Sequence, residues 1–118
     1  MRPRPTVLCL SGHDPGGGAG VQADIETATA LGGHAACLVT AHTVQDTRDV
    51  RRVVAVDLAL LREQAEVLLA DLEVGAIKVG LLGAPEQAAF IAGLAGRLPR
   101  PLVLDPVLRA GGGAELAS

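Results

Sequence analysis

The chain has 118 residues, of which 49% are hydrophobic and 1% aromatic, and a formal net charge of −3, which suits one compact domain with enough apolar material for a core. Phe90 is the single aromatic residue and no basic block is present, which excludes stacking platforms and electrostatic footprints for nucleic acid. Cys9 and Cys37 both fall in apolar runs without a Cys-x-x-Cys pair, so they read as small buried hydrophobes rather than metal ligands.

After a Pro-broken start, "TVLCLSG" (Thr6–Gly12) is a short apolar run closed by glycine, the pattern of a strand buried on both faces. It is too short for a signal core or a membrane span, so the expectation is a cytoplasmic protein with no membrane partner. Asp14-Pro15 marks a turn or a helix cap. Val21, Ile25, Ala28 and Leu31 then fall at helical spacing, and Gly32-Gly33 stop that helix. "HAACLVTA" (His34–Ala41) predicts a second buried strand. "VQDTRDV" (Val44–Val50) is polar and irregular, and "RRVVAVD" gives a third strand-like run. A helix is predicted from Leu58 to Leu72, with Leu61, Ala65, Leu68, Leu69 and Leu72 on one stripe. "GAIKVGLLG" (Gly75–Gly83) is a fourth strand, Pro85 opens a helix that runs to Leu98, and "PLVLDPV" (Pro101–Val107) is a fifth strand before a second glycine run, Gly111–Gly113.

Apolar strands alternating with helices indicate a doubly wound α/β fold with a mostly parallel sheet and helices on both faces. Ligands in such a fold bind outside the carboxyl ends of the strands. Gly12, Asp14, Gln45, the stretch Lys78 to Gly83, and Asp105 all fall there.

Five glycines between Gly12 and Gly20 need a local reason, either a tight strand-to-helix turn or a close backbone approach to a small ligand. The loop lacks the Gly-Lys-Ser/Thr ending of a P-loop, and Val21 stands where the dinucleotide fingerprint needs its last glycine. Asp24 suits either helix-start electrostatics or a ligand. The Gln45 amide can donate and accept together, as a heterocycle edge requires, or sit solvated in a loop. Asp105 can position Mg²⁺ through water or cap the next segment. Lys78, the one lysine, reads as a ligand group or as a strand-end side chain reaching water. His13, His34 and His42 are not spaced as metal ligands.

"SGHDPGGGAGVQADIETATALGG", "TAHTVQDT", "IKVGLLG" and "LDPVLRAGGG" resemble, in order, the successive motifs of hydroxymethylpyrimidine/phosphomethylpyrimidine kinases, ribokinase-like enzymes of thiamine biosynthesis. The opening pattern is matched at Gly12, Asp14, Pro15, Gly17, Gly18, Ala19, Gly20, Gln22, Ala23 and Asp24. The resemblance implies ATP-dependent phosphorylation of 4-amino-5-hydroxymethyl-2-methylpyrimidine and then of its monophosphate, with ATP and Mg²⁺ as cofactors. It implies that Asp24 and Gln45 hold the aminopyrimidine in one pocket, that the Gly12 backbone approaches it, and that Leu81 and Val107 line its apolar faces. Asp105 would stand at the metal–phosphate region.

The family often has methionine at Leu81 and an apolar residue at His42, and several members carry Ala-Lys-Ser-Gly where this chain has Ala110-Gly111-Gly112-Gly113. Family members also continue beyond the position of Ser118, into the nucleotide site and the catalytic residues. The resemblance therefore implies that residues 1–118 are the N-terminal portion of one kinase domain, truncated after about five strands. No catalytic residue is expected within it, and alone it is expected to be inactive. A homodimer is left open for the complete enzyme. Two alternatives remain: a pyridoxal or pyridoxine kinase, against which Gln22-Ala23-Asp24 and Gln45-Asp46-Thr47 favour the pyrimidine, and a truncated, non-catalytic binding module.

Overall fold

The computed structural model describes residues 4–105. The elements run β1 (Thr6–His13), α1 (Gly20–Ala30), β2 (His34–Gln45), β3 (Val50–Ala55), α2 (Leu58–Asp71), β4 (Ala76–Val79), α3 (Pro85–Arg97) and β5 (Leu102–Leu104). Each matches a predicted element, with shifted ends. The five strands form one sheet in the order β3-β2-β1-β4-β5. Only the β2–β3 pair is antiparallel.

Alternation along the strands assigns the two faces. Leu8 and Leu10 of β1, Leu38 of β2, and Ile77 and Val79 of β4 join Leu61 and Ala65 of α2 and Ile91 and Leu94 of α3 in the buried core. The opposite face of β1 carries Cys9 and Ser11, and α1 packs there, with the Ser11 hydroxyl bonded to Asp24. Parallel crossovers of one hand that step outward in opposite directions from the sheet centre, β1 to β2 and β4 to β5, place their helices on opposite faces, which is why α1 is separated from α3. Leu61 is completely buried in this core, and Leu61→Ala is expected to cost about 2–5 kcal/mol. A urea titration showing a lower midpoint at unchanged slope is the check.

The helix ends follow from sequence. Gly32 adopts φ +84°, and Gly32 and Gly33 donate to the carbonyls of Thr29 and Ala28. That is the Schellman closure which the left-handed glycine permits. Pro85 occupies the first turn of α3, where its missing N–H costs nothing.

Three expectations need correction. β2 does not stop at Ala41 but continues to Gln45, because β3 folds back on it from Ala41 to Gln45; Gln45 is thus the last residue of a strand rather than a loop residue beyond one. β4 covers only Ala76–Val79. In α1 the apolar stripe is not the buried one: Val21 is buried, whereas Ile25 and Leu31 are exposed, and Leu31 caps the helix. Asp24 accounts for this, since its bonds to β1 and β4 turn its side of the helix inward.

Candidate functional site

The chain steps from β1 to β2 and β3 on one side of the sheet, and from β4 to β5 on the other. The order therefore reverses between β1 and β4, and a crevice outside their carboxyl ends is where ligands bind in open α/β sheets. Gly12 ends up there against Leu81: a Cβ on Gly12 would stand 3.0 Å from Leu81 Cδ2 and 3.6 Å from the Ala41 carbonyl oxygen. Two threonines of β2 stitch the crevice. The Thr40 hydroxyl donates to the Leu81 carbonyl, and the Thr43 hydroxyl donates to the His13 carbonyl at 2.8 Å. Burying these hydroxyls is tolerable because each is paired.

The glycine loop between β1 and α1 is organised by Asp14, which is nearly buried. Its Oδ1 accepts from the Gly16 N–H at 2.9 Å, its Oδ2 from the Gly18 N–H at 3.0 Å, and its carbonyl from the Gly17 N–H at 3.0 Å. Loop amides of this kind cradle phosphate in nucleotide-binding loops. Here a carboxylate already occupies two of them and adds its own negative charge, so the loop is built against a phosphate rather than around one.

A cleft of about 320 Å³ opens beside the loop, lined by Asp14, Gly16, Gly18, Gln45, Thr47 and Arg48 among others. Gln45 is half-buried, and its Nε2 donates to the Thr43 hydroxyl. One amide proton is thus committed to the protein, while the amide oxygen has no protein partner among the described residues. Across the cleft, the β2–β3 turn is closed by Asp46, whose carboxylate accepts from the Arg48 and Asp49 N–H groups at 2.8 and 3.0 Å. The bond from Asp49, then that from Arg48, holds the Asp46 carboxyl below its ordinary pKa.

Asp24 sits on the other side of β1 and does not line this cleft. Its Oδ2 accepts from the Ser11 hydroxyl at 2.7 Å and its Oδ1 from Lys78 Nζ at 2.9 Å, and Lys78 also donates to Ser11 Oγ at 3.2 Å. Lys78 is therefore not a side chain reaching for water; it belongs to a closed triangle linking β1, α1 and β4. Cys9 and Cys37 are direct neighbours in the β1–β2 register beside it. Cys37 on the neighbouring strand, and then burial, raise the pKa of Cys9, while Cys9 lowers that of Cys37. Both are free and at least half-buried, as the sequence implied.

The phosphomethylpyrimidine kinase family model matches residues 14–118. The chain belongs to this family. The hydroxymethylpyrimidine/phosphomethylpyrimidine kinase of Rhizobium meliloti is 40% identical over 110 residues, which cover 93% of this chain and 41% of that protein. The phosphomethylpyrimidine kinase structure from Clostridium difficile superimposes with a TM-score of 0.86 at 31% identity, over 98% of this chain and 50% of that one. A pyridoxal kinase from Staphylococcus aureus, solved with AMP-PCP and pyridoxal, gives 0.79 at 28% identity over 93% and 42%. The chain thus spans half or less of each of these proteins, and the fold is the ribokinase-like one they share.

Of the positions that the family resemblance implies, the structure brings Gly12 and Leu81 together at the crevice and puts Gln45 on the cleft. Asp24 is held in the triangle with Ser11 and Lys78. Asp105 follows β5, is exposed, and donates its N–H to the Val79 carbonyl at 2.8 Å. Val107 and the Gly111–Gly113 run lie outside the described residues. Sequence reasoning missed Asp14 as the organiser of the loop and Thr43 as the support for Gln45. An aspartate two and four residues ahead of loop glycines is a readable signal for the first, because Asp side chains bond their own backbone two residues on. Among the described residues no helix is long and apolar enough to cross a membrane.

Proposed function

We propose that this chain carries the pyrimidine-binding part of an ATP-dependent kinase that phosphorylates 4-amino-5-hydroxymethyl-2-methylpyrimidine and then its monophosphate. The observation that carries the reading is Gln45. A half-buried amide, braced by Thr43 and lining a cleft beside the glycine loop, offers the paired donor and acceptor that a flat, neutral aminopyrimidine edge needs. The close backbone of Gly16 and Gly18 on the same cleft suits a flat ring, and family membership supplies the reaction class.

The cofactor is ATP, and its phosphates are held by groups other than the glycine loop, whose Gly16 and Gly18 amides Asp14 has taken. Mg²⁺ fits less well within this segment. Among the described residues no group of three or more His, Cys, Asp or Glu side chains is placed to hold a metal ion. The exposed Asp105 offers one carboxylate, enough to contact a hydrated ion through water but not to form a site. In-line positioning and charge stabilisation of the transferred phosphoryl group then fall to the rest of the kinase, and this segment binds and orients the acceptor.

A second reading, pyridoxal phosphorylation, is favoured by the likeness to the Staphylococcus aureus pyridoxal kinase. Calorimetric titration with the aminopyrimidine and with pyridoxal separates the two, and tighter binding of pyridoxal would overturn the first. Gln45→Ala is expected to weaken aminopyrimidine binding by about 1–3 kcal/mol, or about one to two decades, with ATP affinity unchanged. An equal loss for both ligands contradicts the role given to Gln45.

A further inference from the structure

His13 and His42 stand far apart in sequence and side by side in the sheet, as register partners at the carboxyl ends of β1 and β2. Unbroken pairing would not bring them together. The register shifts between Ser11 and Gly12, where β2 carries one extra residue, Thr40. Without that shift His13 would face Ala41, and His42 would lie one residue beyond it. A bulge of this kind re-aims side chains, and here it sets two imidazoles against each other with ring centroids 6.1 Å apart and planes at 80°. Both backbones are held from two sides. His42 pairs with β1 and, opposite Val54, with β3, while His13 pairs with β2 and forms a bridge to Gly20. The hydrogen bond from Thr43 reaches the His13 carbonyl rather than its ring. His13 is half-buried and His42 exposed, so solvent reaches the pair.

We propose that His13 and His42 form a two-imidazole site for a divalent transition-metal ion of the Zn²⁺, Ni²⁺ and Cu²⁺ group. An imidazole that binds an ion at about 2.0–2.1 Å through nitrogen has its ring centre about 3.2 Å from that ion. Two such rings stand about 5 Å apart at a tetrahedral angle and about 6.4 Å apart when opposed. The observed 6.1 Å lies inside that limit, so side-chain rotation on a fixed backbone closes the pair on an ion. Imidazole nitrogen selects this group over Mg²⁺, which takes oxygen ligands. Asp14, the carboxylate next in sequence, is spent on the Gly16 and Gly18 amides. Among the described residues no third His, Cys, Asp or Glu completes the set. The other coordination positions belong to water, which makes the ion exchangeable, unlike the closed four-ligand sites that hold a fold together. Neither histidine lines the Gln45 cleft, and the site stands independently of the pyrimidine reading.

The test titrates the full chain and its His13→Phe, His42→Phe and His34→Phe variants with Ni²⁺ by calorimetry, and melts each with and without the ion. Phenylalanine keeps a ring in place and removes the nitrogens. His34, exposed at the start of β2, reports what an isolated imidazole contributes. Two ligands on one frame bind more tightly than either alone by about 100-fold or more. His13→Phe and His42→Phe are therefore each expected to weaken Ni²⁺ binding by about 100-fold and to abolish the rise in melting temperature that the ion gives the wild type. His34→Phe is expected to match the wild type, and excess Mg²⁺ to leave Ni²⁺ bound. His42→Ala, at an exposed position, replaces any phenylalanine variant that fails to fold. Loss in only one of the two positions, equal binding by all the proteins, or displacement of Ni²⁺ by Mg²⁺ overturns the site and leaves the pair an aromatic contact between two strand ends.

Discussion

Gly20→Ala is expected to lower the stability of the chain by about 4 kcal/mol or more, or to abolish folding outright. Gly20 sits at φ +66°, and a Cβ built there would lie 2.1 Å from the Gly12 carbonyl oxygen and 3.0 Å from its carbon. The left-handed backbone alone costs an L-residue about 1–2 kcal/mol. The overlap cannot be relieved by rotating a side chain, because the obstacle is the backbone of β1, fixed between β2 and β4. His13 and Gly20 also form an isolated bridge, so moving Gly20 moves the end of β1 and with it the crevice.

Neighbouring glycines provide the control. Gly17→Ala, at φ +77°, meets only the end of the flexible Gln22 side chain and should lose about 1 kcal/mol. Gly18→Ala meets Asp14 at an ordinary 3.6 Å and should change little. Urea denaturation of the three variants side by side is the measurement. Equal stability losses would refute the claim that one glycine of the run is required by contact with the preceding strand. The run therefore has several causes: close approach at Gly20, a turn at Gly17, and free amides for Asp14 at Gly16 and Gly18.

How much of this was readable beforehand depends on how far apart the interacting residues lie. α2 and α3 were legible because their apolar spacing is local and Pro85 marks an entry. The parallel sheet was legible because buried strands such as Leu8–Leu10 and Leu38 leave unbroken apolar runs. The extension of β2 to Gln45 was not, because its alternation inverts the usual code: Thr43 is buried and Val44 exposed. The buried threonine is paired through its bond to the His13 carbonyl, 30 residues away, and through the Gln45 amide. Asp24 shows the same limit at the site. Position alone left helix-start electrostatics and a ligand role open, whereas its partners lie on β1 and β4, and no periodicity in α1 encodes them. Position at the strand ends put Gly12, Gln45 and the stretch from Lys78 to Gly83 on the site face, and the resemblance to a family assigned Gly12, Gln45 and Leu81 to the pyrimidine.

Gln87→Leu is expected to cost about 3–5 kcal/mol although the side chain touches no ligand and volume is nearly kept. Gln87 is 1% exposed in the first turn of α3. Its Nε2 donates to the carbonyls of Thr40 and Val56 at 2.8 and 3.0 Å, and its Oε1 accepts from the Gly83 N–H at 2.8 Å. One amide thus satisfies backbone groups at the end of β3, in β2, and in the connection from β4. Leucine would leave the Val56 carbonyl and the Gly83 N–H without this partner and reduce the Thr40 carbonyl to its bond from the Val56 N–H at 2.9 Å, in a site where even a Cβ on Gly83 would stand 2.7 Å from Ala55. Each orphaned group costs about 1–3 kcal/mol, and partial entry of water makes the sum less than additive.

Gln87→Glu gives the decisive contrast. It keeps the acceptor for Gly83 but turns a donor into a carboxylate oxygen facing two carbonyls, so burial and repulsion favour the protonated acid in the folded state. Its folded pKa should lie above the unfolded value of about 4.3. The stability of Gln87→Glu relative to wild type should then be highest below that value and fall as pH rises through the folded pKa, while Gln87→Leu shows no such dependence. Parallel urea titrations of both variants from acid to neutral pH measure this. A flat difference between Gln87→Glu and wild type would mean that water, rather than the amide, satisfies Thr40 and Val56, and that the junction beneath Leu81 does not rely on Gln87.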